Sequence, residues 1–145
     1  MNVQTILDQK DTPDVFTIGP GRVLQEAVER LVEHNIGSLV VVDGSGRPVG
    51  IITERDILRT CANGCEKLAT TKVADAMTAD LIVGELGDEI DYVMGIMTKN
   101  RIRHLPILSE DGLRGLVSIG DVVKVQRLET EYENRHLRKY IERGY

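Results

Sequence analysis

Apolar residues recur at helical spacing as Val23/Leu24, Ala27/Val28 and Leu31/Val32, while Gln25, Glu26, Glu29, Arg30 and Glu33 fall on the other side. That period predicts an amphipathic helix ending near Asn35-Ile36-Gly37. Before it, Val3 to Leu7 reads as a short helix broken by Asp11-Thr12-Pro13. Val15-Phe16-Thr17-Ile18 reads as a short extended segment closed by Gly19-Pro20-Gly21. After it, Leu39 to Val42 is an apolar, mostly β-branched run, Asp43-Gly44-Ser45-Gly46 a turn, and Pro48 to Ile52 the returning strand of a hairpin. Thr53 caps the next helix, which carries Ile57 and Leu58.

The same order then recurs. Ala62-Asn63-Gly64 interrupts the helix, and residues 66–71 form a connection. Val73 to Met77 opens the second copy, and Asp80 to Val83 is predicted as its short strand. Ile90, Val93/Met94 and Met97 mark its helix, and Leu105 to Leu108 with Leu113 to Val117 its hairpin. From Asp121 a last helix runs towards Ile141, with Val122, Val125, Leu128, Tyr132 and Leu137 as its apolar side. Gly50-Ile51-Ile52-Thr53-Glu54-Arg55-Asp56 returns 65 positions later as Gly115-Leu116-Val117-Ser118-Ile119-Gly120-Asp121. Ile36 to Val42 aligns with Ile102 to Leu108, 66 positions on. The predicted fold class is α+β: two pseudo-symmetric repeats at 6–65 and 73–127, each a small sheet with flanking helices, then a helical extension at 128–145. One repeat of about 60 residues would fold marginally alone, so the two are expected to share a core and to leave a ligand cleft between them.

Composition narrows the chemistry. A net charge of −5 and a pI near 5.2 argue against a nucleic-acid partner. With no Trp and one Phe, a base-stacking platform is not expected. No signal peptide and no membrane-length apolar run is read. Cys61 and Cys65 are spaced for one helical face rather than a zinc knuckle, and are read as reduced thiols of a cytoplasmic protein. His34, His104 and His136 lack metal-ligand spacing, so no metal is assigned. No nucleophile–base–orienter set is found, so no catalytic residue is named and the chain is not read as an enzyme.

The hydroxyl-x-x-Asp pairs Thr53/Asp56 and Ser118/Asp121 are variants of the helix capping box. The same arrangement suits a nucleotide. A helix N-terminus presents free N–H groups to phosphate, and a carboxylate one turn in can accept hydrogen bonds from a ribose diol. Lys99-Asn100-Arg101-Ile102-Arg103-His104 reads either as a solvated basic edge or as a phosphate clamp. In the second reading Arg103 and His104 point into the cleft beside Asp121. Their counterparts Gly37 and Ser38 are uncharged, which leaves Arg55 and Thr53 beside Asp56. The Asp121 side is therefore expected to hold the phosphate-rich end and to favour phosphate over a sulfonium.

These segments, in this order and repeated, resemble a tandem pair of CBS domains, the regulatory unit also called a Bateman module. The resemblance rests on Val15 to Pro20, Ile36 to Asp43 and Gly50 to Asp56, and on Ala76-Met77-Thr78, Arg101 to Ile107 and Gly115 to Asp121. It implies an adenosine ligand: AMP, ADP, ATP, NAD, S-adenosylmethionine or a diadenosine polyphosphate. It implies one site at Thr17, Ile18, Arg103, His104, Ser118 and Asp121, and a mate at Leu81, Val83, Gly37, Ser38, Thr53 and Asp56, with Arg55 nearby. It further implies a disc-like homodimer through residues 23–33 and 90–98, and a regulated protein reached in trans. The helix beyond Gln126 is the candidate for additional contact. The alternative is an interaction or dimerisation module whose clefts are vestigial.

Overall fold

A computed structural model of the chain describes residues 1–10 and 15–143. The predicted break at Asp11-Thr12-Pro13 lies outside the described residues. The chain order is α1 (Val3–Gln9), β1 (Thr17–Ile18), α2 (Leu24–His34), β2 (Ser38–Val42), β3 (Pro48–Thr53) and α3 (Glu54–Ala62). A 3-10 turn (Cys65–Ala69) leads to α4 (Val73–Ala76), α5 (Ile90–Asn100), β4 (His104–Ser109), β5 (Gly112–Ser118) and α6 (Ile119–Glu142).

Continuous buried runs build the hairpins, Ser38–Val41 and Gly50–Ile52 in the first and Leu105–Ile107 in the second. β2 and β3 pair antiparallel with Leu39 opposite Ile52, and β1 adds in parallel with Ile18 opposite Val41. β4 and β5 repeat the hairpin with Leu105 opposite Val117. Both carry a register shift at matched places, Val41/Val42 and Ile107/Leu108. The strand expected at Asp80 to Val83 does not form. Gly84 alone bridges Ile107, where Ile18 meets Val41 in the first half. A Cβ on Gly84 would come within 2.8 Å of Leu105 Cδ2, so glycine permits this close approach. Its weak strand preference gives nothing to extend the ladder.

The two cores exchange helices. Val3 and Ile6 of α1 are buried with Ile90, Val93, Met97, Leu105 and Val117 of the second half. Val73 of α4 is buried with Ile18, Leu24, Leu39 and Ile52 of the first. Main-chain bonds fix both crossings, Val3 N–H to the Asp88 carbonyl at 2.9 Å and Val73 N–H to that of Arg22 at 2.8 Å. Each half therefore completes the other's apolar cluster.

Three sequence expectations change. In α6 only Val122 and Val125 are buried, while Leu128, Tyr132 and Leu137 are 45%, 66% and 59% exposed. The predicted apolar side is thus covered only at its start. Leu58 also faces outward. Cys61 and Cys65 do not share a helix, because Gly64, at φ 120°, ends α3's path between them. Both are free thiols, and a hydrogen bond with Cys65, followed by desolvation, pushes the Cys61 thiol up.

Candidate functional site

Both hydroxyl-x-x-Asp motifs sit where a strand runs into a helix, and both close capping boxes. In the first, Thr53 N–H and Oγ1–H donate to Asp56 Oδ2 at 2.9 and 3.0 Å. In the second, Ser118 N–H donates to Asp121 Oδ2 at 2.9 Å, and Asp121 N–H returns a bond to Ser118 Oγ at 3.1 Å. The first N–H of each helix reaches back to the residue that enters the preceding hairpin. Glu54 N–H donates to the Gly37 carbonyl at 3.2 Å, and Ile119 N–H to that of Arg103 at 2.8 Å. These bonds tie each strand entrance to the helix start of its own half.

Two clefts open beside these motifs, and Gly37 and His104 line both. A side chain built on Gly37 would lie 3.4 Å from His104 Nε2, so the absence of a Cβ lets the imidazole rest against the backbone. The first cleft, of about 350 Å³, is bounded by Leu7, Val15, Phe16, Ile36 and Leu116, with Lys10, Asn35, Ser38, His104 and Ser118 as its polar residues. Phe16 is held flat by stacking on His34 at 3.9 Å. The second, of about 360 Å³, is bounded by Thr53, Asp56 and Thr78 and by the cations Arg55, Arg59, Arg101 and Arg103.

This pairing reverses the expected one. The strand entrance of one half lies across from the capped helix of the other. Gly37 and Ser38 therefore face Ser118, while Arg103 faces Thr53 and Asp56. The cation-rich cleft is the one beside Asp56, not Asp121. Thr17, Ile18, Leu81 and Val83 line neither of these clefts, nor does Asp121, which stands behind the first through its bonds to the lining residues Ser118 and Lys10. Ile18 is buried in the core, the Thr17 carbonyl accepts from Arg30 at 2.6 Å, and Val83 faces outward. The wall predicted from Thr17 and Ile18 is instead supplied by Val15 and Phe16.

Sequence reasoning missed Lys10, Arg59 and Thr78. Lys10 is the most consequential, since its Nζ bonds the Leu116 carbonyl at 2.7 Å and Asp121 Oδ2 at 2.9 Å. Burial pushes the Asp121 carboxyl up, but the Ser118 N–H and the Lys10 ammonium together outweigh it and hold the group below the usual carboxylate range. Burial lowers His104, against weaker opposing pulls from Glu54 and Asp121. Its imidazole is therefore neutral at pH 7 and offers a hydrogen bond rather than the expected charge.

Arg101 marks the cation-rich cleft as built at a cost. It caps α5 in the left-handed conformation (φ 54°), where α2 uses Asn35 (φ 51°). Asparagine tolerates that region, whereas arginine loses about 1 kcal/mol there relative to glycine. Arg101→Gly is expected to raise the unliganded protein's stability by about 1 kcal/mol in urea denaturation. It should also weaken any phosphate ligand measured by calorimetry. A destabilised variant would show that the arginine stem is packed rather than strained.

The comparisons agree with this architecture. The CBS domain family model matches residues 9–63 and 73–127. The CBS domain-containing protein CBSX3, mitochondrial, of Arabidopsis thaliana is 41% identical over 124 residues, which cover 83% of this chain and 60% of that protein. Among solved structures, the CBS-domain protein ATU1752 of Agrobacterium tumefaciens superposes with a TM-score of 0.81 at 38% identity, covering 86% of this chain and 92% of that one. The CBS domain pair of protein MJ0100, solved with 5-methylthioadenosine and S-adenosyl-L-methionine, superposes at 0.78 and 26% identity, covering 89% and 98%. With two matched copies, a shared fold and this level of identity, the chain belongs to the CBS domain family, as a tandem pair.

Proposed function

We propose that the chain binds an adenine nucleotide (AMP, ADP, ATP or NAD) between its repeats and regulates a partner protein through the conformation this stabilises. The observation that carries the reading is Ser38. It is 2% exposed, lines the first cleft beside Ser118 and Lys10, and its Oγ is the one buried side-chain polar atom without a partner among the described residues. A buried hydroxyl left unpaired costs about 1–3 kcal/mol, which a bound molecule would recover. The apolar wall of this cleft suits a purine, and Asp121 suits a ribose diol. Phosphates beyond the ribose run past Gly37 and His104 towards the four arginines. The disc-like homodimer fits the same reading, since Val32 on α2 and Tyr92 on α5 are 75% and 59% exposed apolar side chains on the two helices it would use.

Ser38→Ala separates this proposal from a purely structural role. Without ligand the variant should be more stable by about 1 kcal/mol, because an unpaired hydroxyl has gone. With ligand its affinity should fall about tenfold, read by calorimetry or by the smaller melting shift. Equal affinity in variant and parent would remove Ser38 as support. No shift in the parent with any nucleotide at millimolar concentration would end the reading. The second reading, an interaction module with vestigial clefts, has one observation in its favour: Lys10 already occupies an Asp121 oxygen. It predicts partner capture or dimerisation unaltered by nucleotide.

A further inference from the structure

We infer that Lys10 sets which adenosine compounds the cleft it lines with Ser118 accepts, admitting those with an anionic group on the ribose and rejecting those with a cationic one. The inference rests on the adenosine reading of this cleft and goes beyond it in naming the residue that sorts the ligands.

Positive charge is sparse in this cleft. Arg103 serves the other cleft, and His104 is neutral where it lines this one. Among the described residues lining this cleft, the remaining cation is the Lys10 ammonium. It arrives from the C-terminal end of α1, the helix that packs against the second half. Its position is fixed by the Leu116 carbonyl at 2.7 Å and by Asp121 Oδ2 at 2.9 Å. An ammonium has three donors, and these partners use two. The third remains for an oxygen of the ligand. The side chain is 25% exposed, so its charge is only partly screened.

Because Lys10 touches the carboxylate proposed to hold the ribose, it stands next to whatever the ribose carries. A phosphate there gains a charge-assisted hydrogen bond. A sulfonium meets a like charge held in place, which raises its free energy. A neutral thioether meets neither effect. The cleft should therefore rank AMP above 5′-methylthioadenosine, and 5′-methylthioadenosine above S-adenosylmethionine.

Titration calorimetry of the full chain with these three compounds tests this, using the parent, Lys10→Met and Lys10→Arg. In the parent AMP should bind at least tenfold more tightly than S-adenosylmethionine. Lys10→Met should weaken AMP about tenfold, strengthen S-adenosylmethionine severalfold and leave 5′-methylthioadenosine nearly unchanged. Lys10→Arg should keep the parental order. The neutral compound reports on the adenosine site itself. If it binds parent and Lys10→Met alike while the AMP to S-adenosylmethionine ratio does not move, the role of Lys10 is overturned and the site stands. If none of the three binds the parent, both fall.

Discussion

Asp121→Ala is expected to lower stability by about 2 kcal/mol and to remove most of the melting shift produced by adenine nucleotides. The stability loss follows from what the carboxylate holds. Its Oδ2 receives both the Ser118 N–H that opens α6 and the Lys10 ammonium that anchors α1. Alanine leaves the first without its cap and the second half-buried without a counter-charge. Asp121→Asn keeps an oxygen for Ser118 but no charge for Lys10, so it should recover much of the stability and little of the binding. The pH dependence has a defined sign. The folded carboxyl lies below its ordinary range, so its contribution is full above about pH 4 and is lost as pH falls through the depressed value. Urea denaturation of parent and alanine variant should therefore converge in acid. A gap that stays constant down that range would mean the carboxylate charge is not what joins these elements.

Arg103→Glu should weaken ATP about a hundredfold, AMP far less, and leave the unliganded protein's stability unchanged. Arg103 is exposed, so little packing is lost. It belongs to a group of four guanidiniums beside Asp56, and reversing one replaces a phosphate donor with a carboxylate. The loss should increase from AMP through ADP to ATP, since only later phosphates reach past Gly37 and His104. It should also shrink at high salt, because these side chains are solvated. Calorimetry with the three nucleotides at two ionic strengths measures both trends. An equal loss for AMP and ATP would place the arginines at the first phosphate or outside the ligand's path.

The repeats, the hairpins and the two capping boxes were legible because they are local. Apolar β-branched runs, turn residues and a hydroxyl three positions before an aspartate specify structure within a few residues. The clefts were less legible because they join distant parts of the chain. Aligning the repeats places Arg103 over Gly37 and tempts one to pair each strand entrance with the helix of its own copy. The backbone does make that pairing, through Glu54 to Gly37 and Ile119 to Arg103. The side chains face across the pseudo-dyad instead. Lys10 carries no local signal, since its partner Asp121 lies 111 positions away. The strand expected at Asp80 to Val83 had the composition of an edge but not the partner, because only Gly84 comes near enough to β4 to bond.

The exchange of α1 and α4 has a consequence for how the whole molecule responds. Neither repeat owns all the walls of its interior, so fraying at one end strips the opposite one. Heat or denaturant should thus meet a single cooperative body rather than two modules in series, and a small molecule captured on either side of the dyad steadies both.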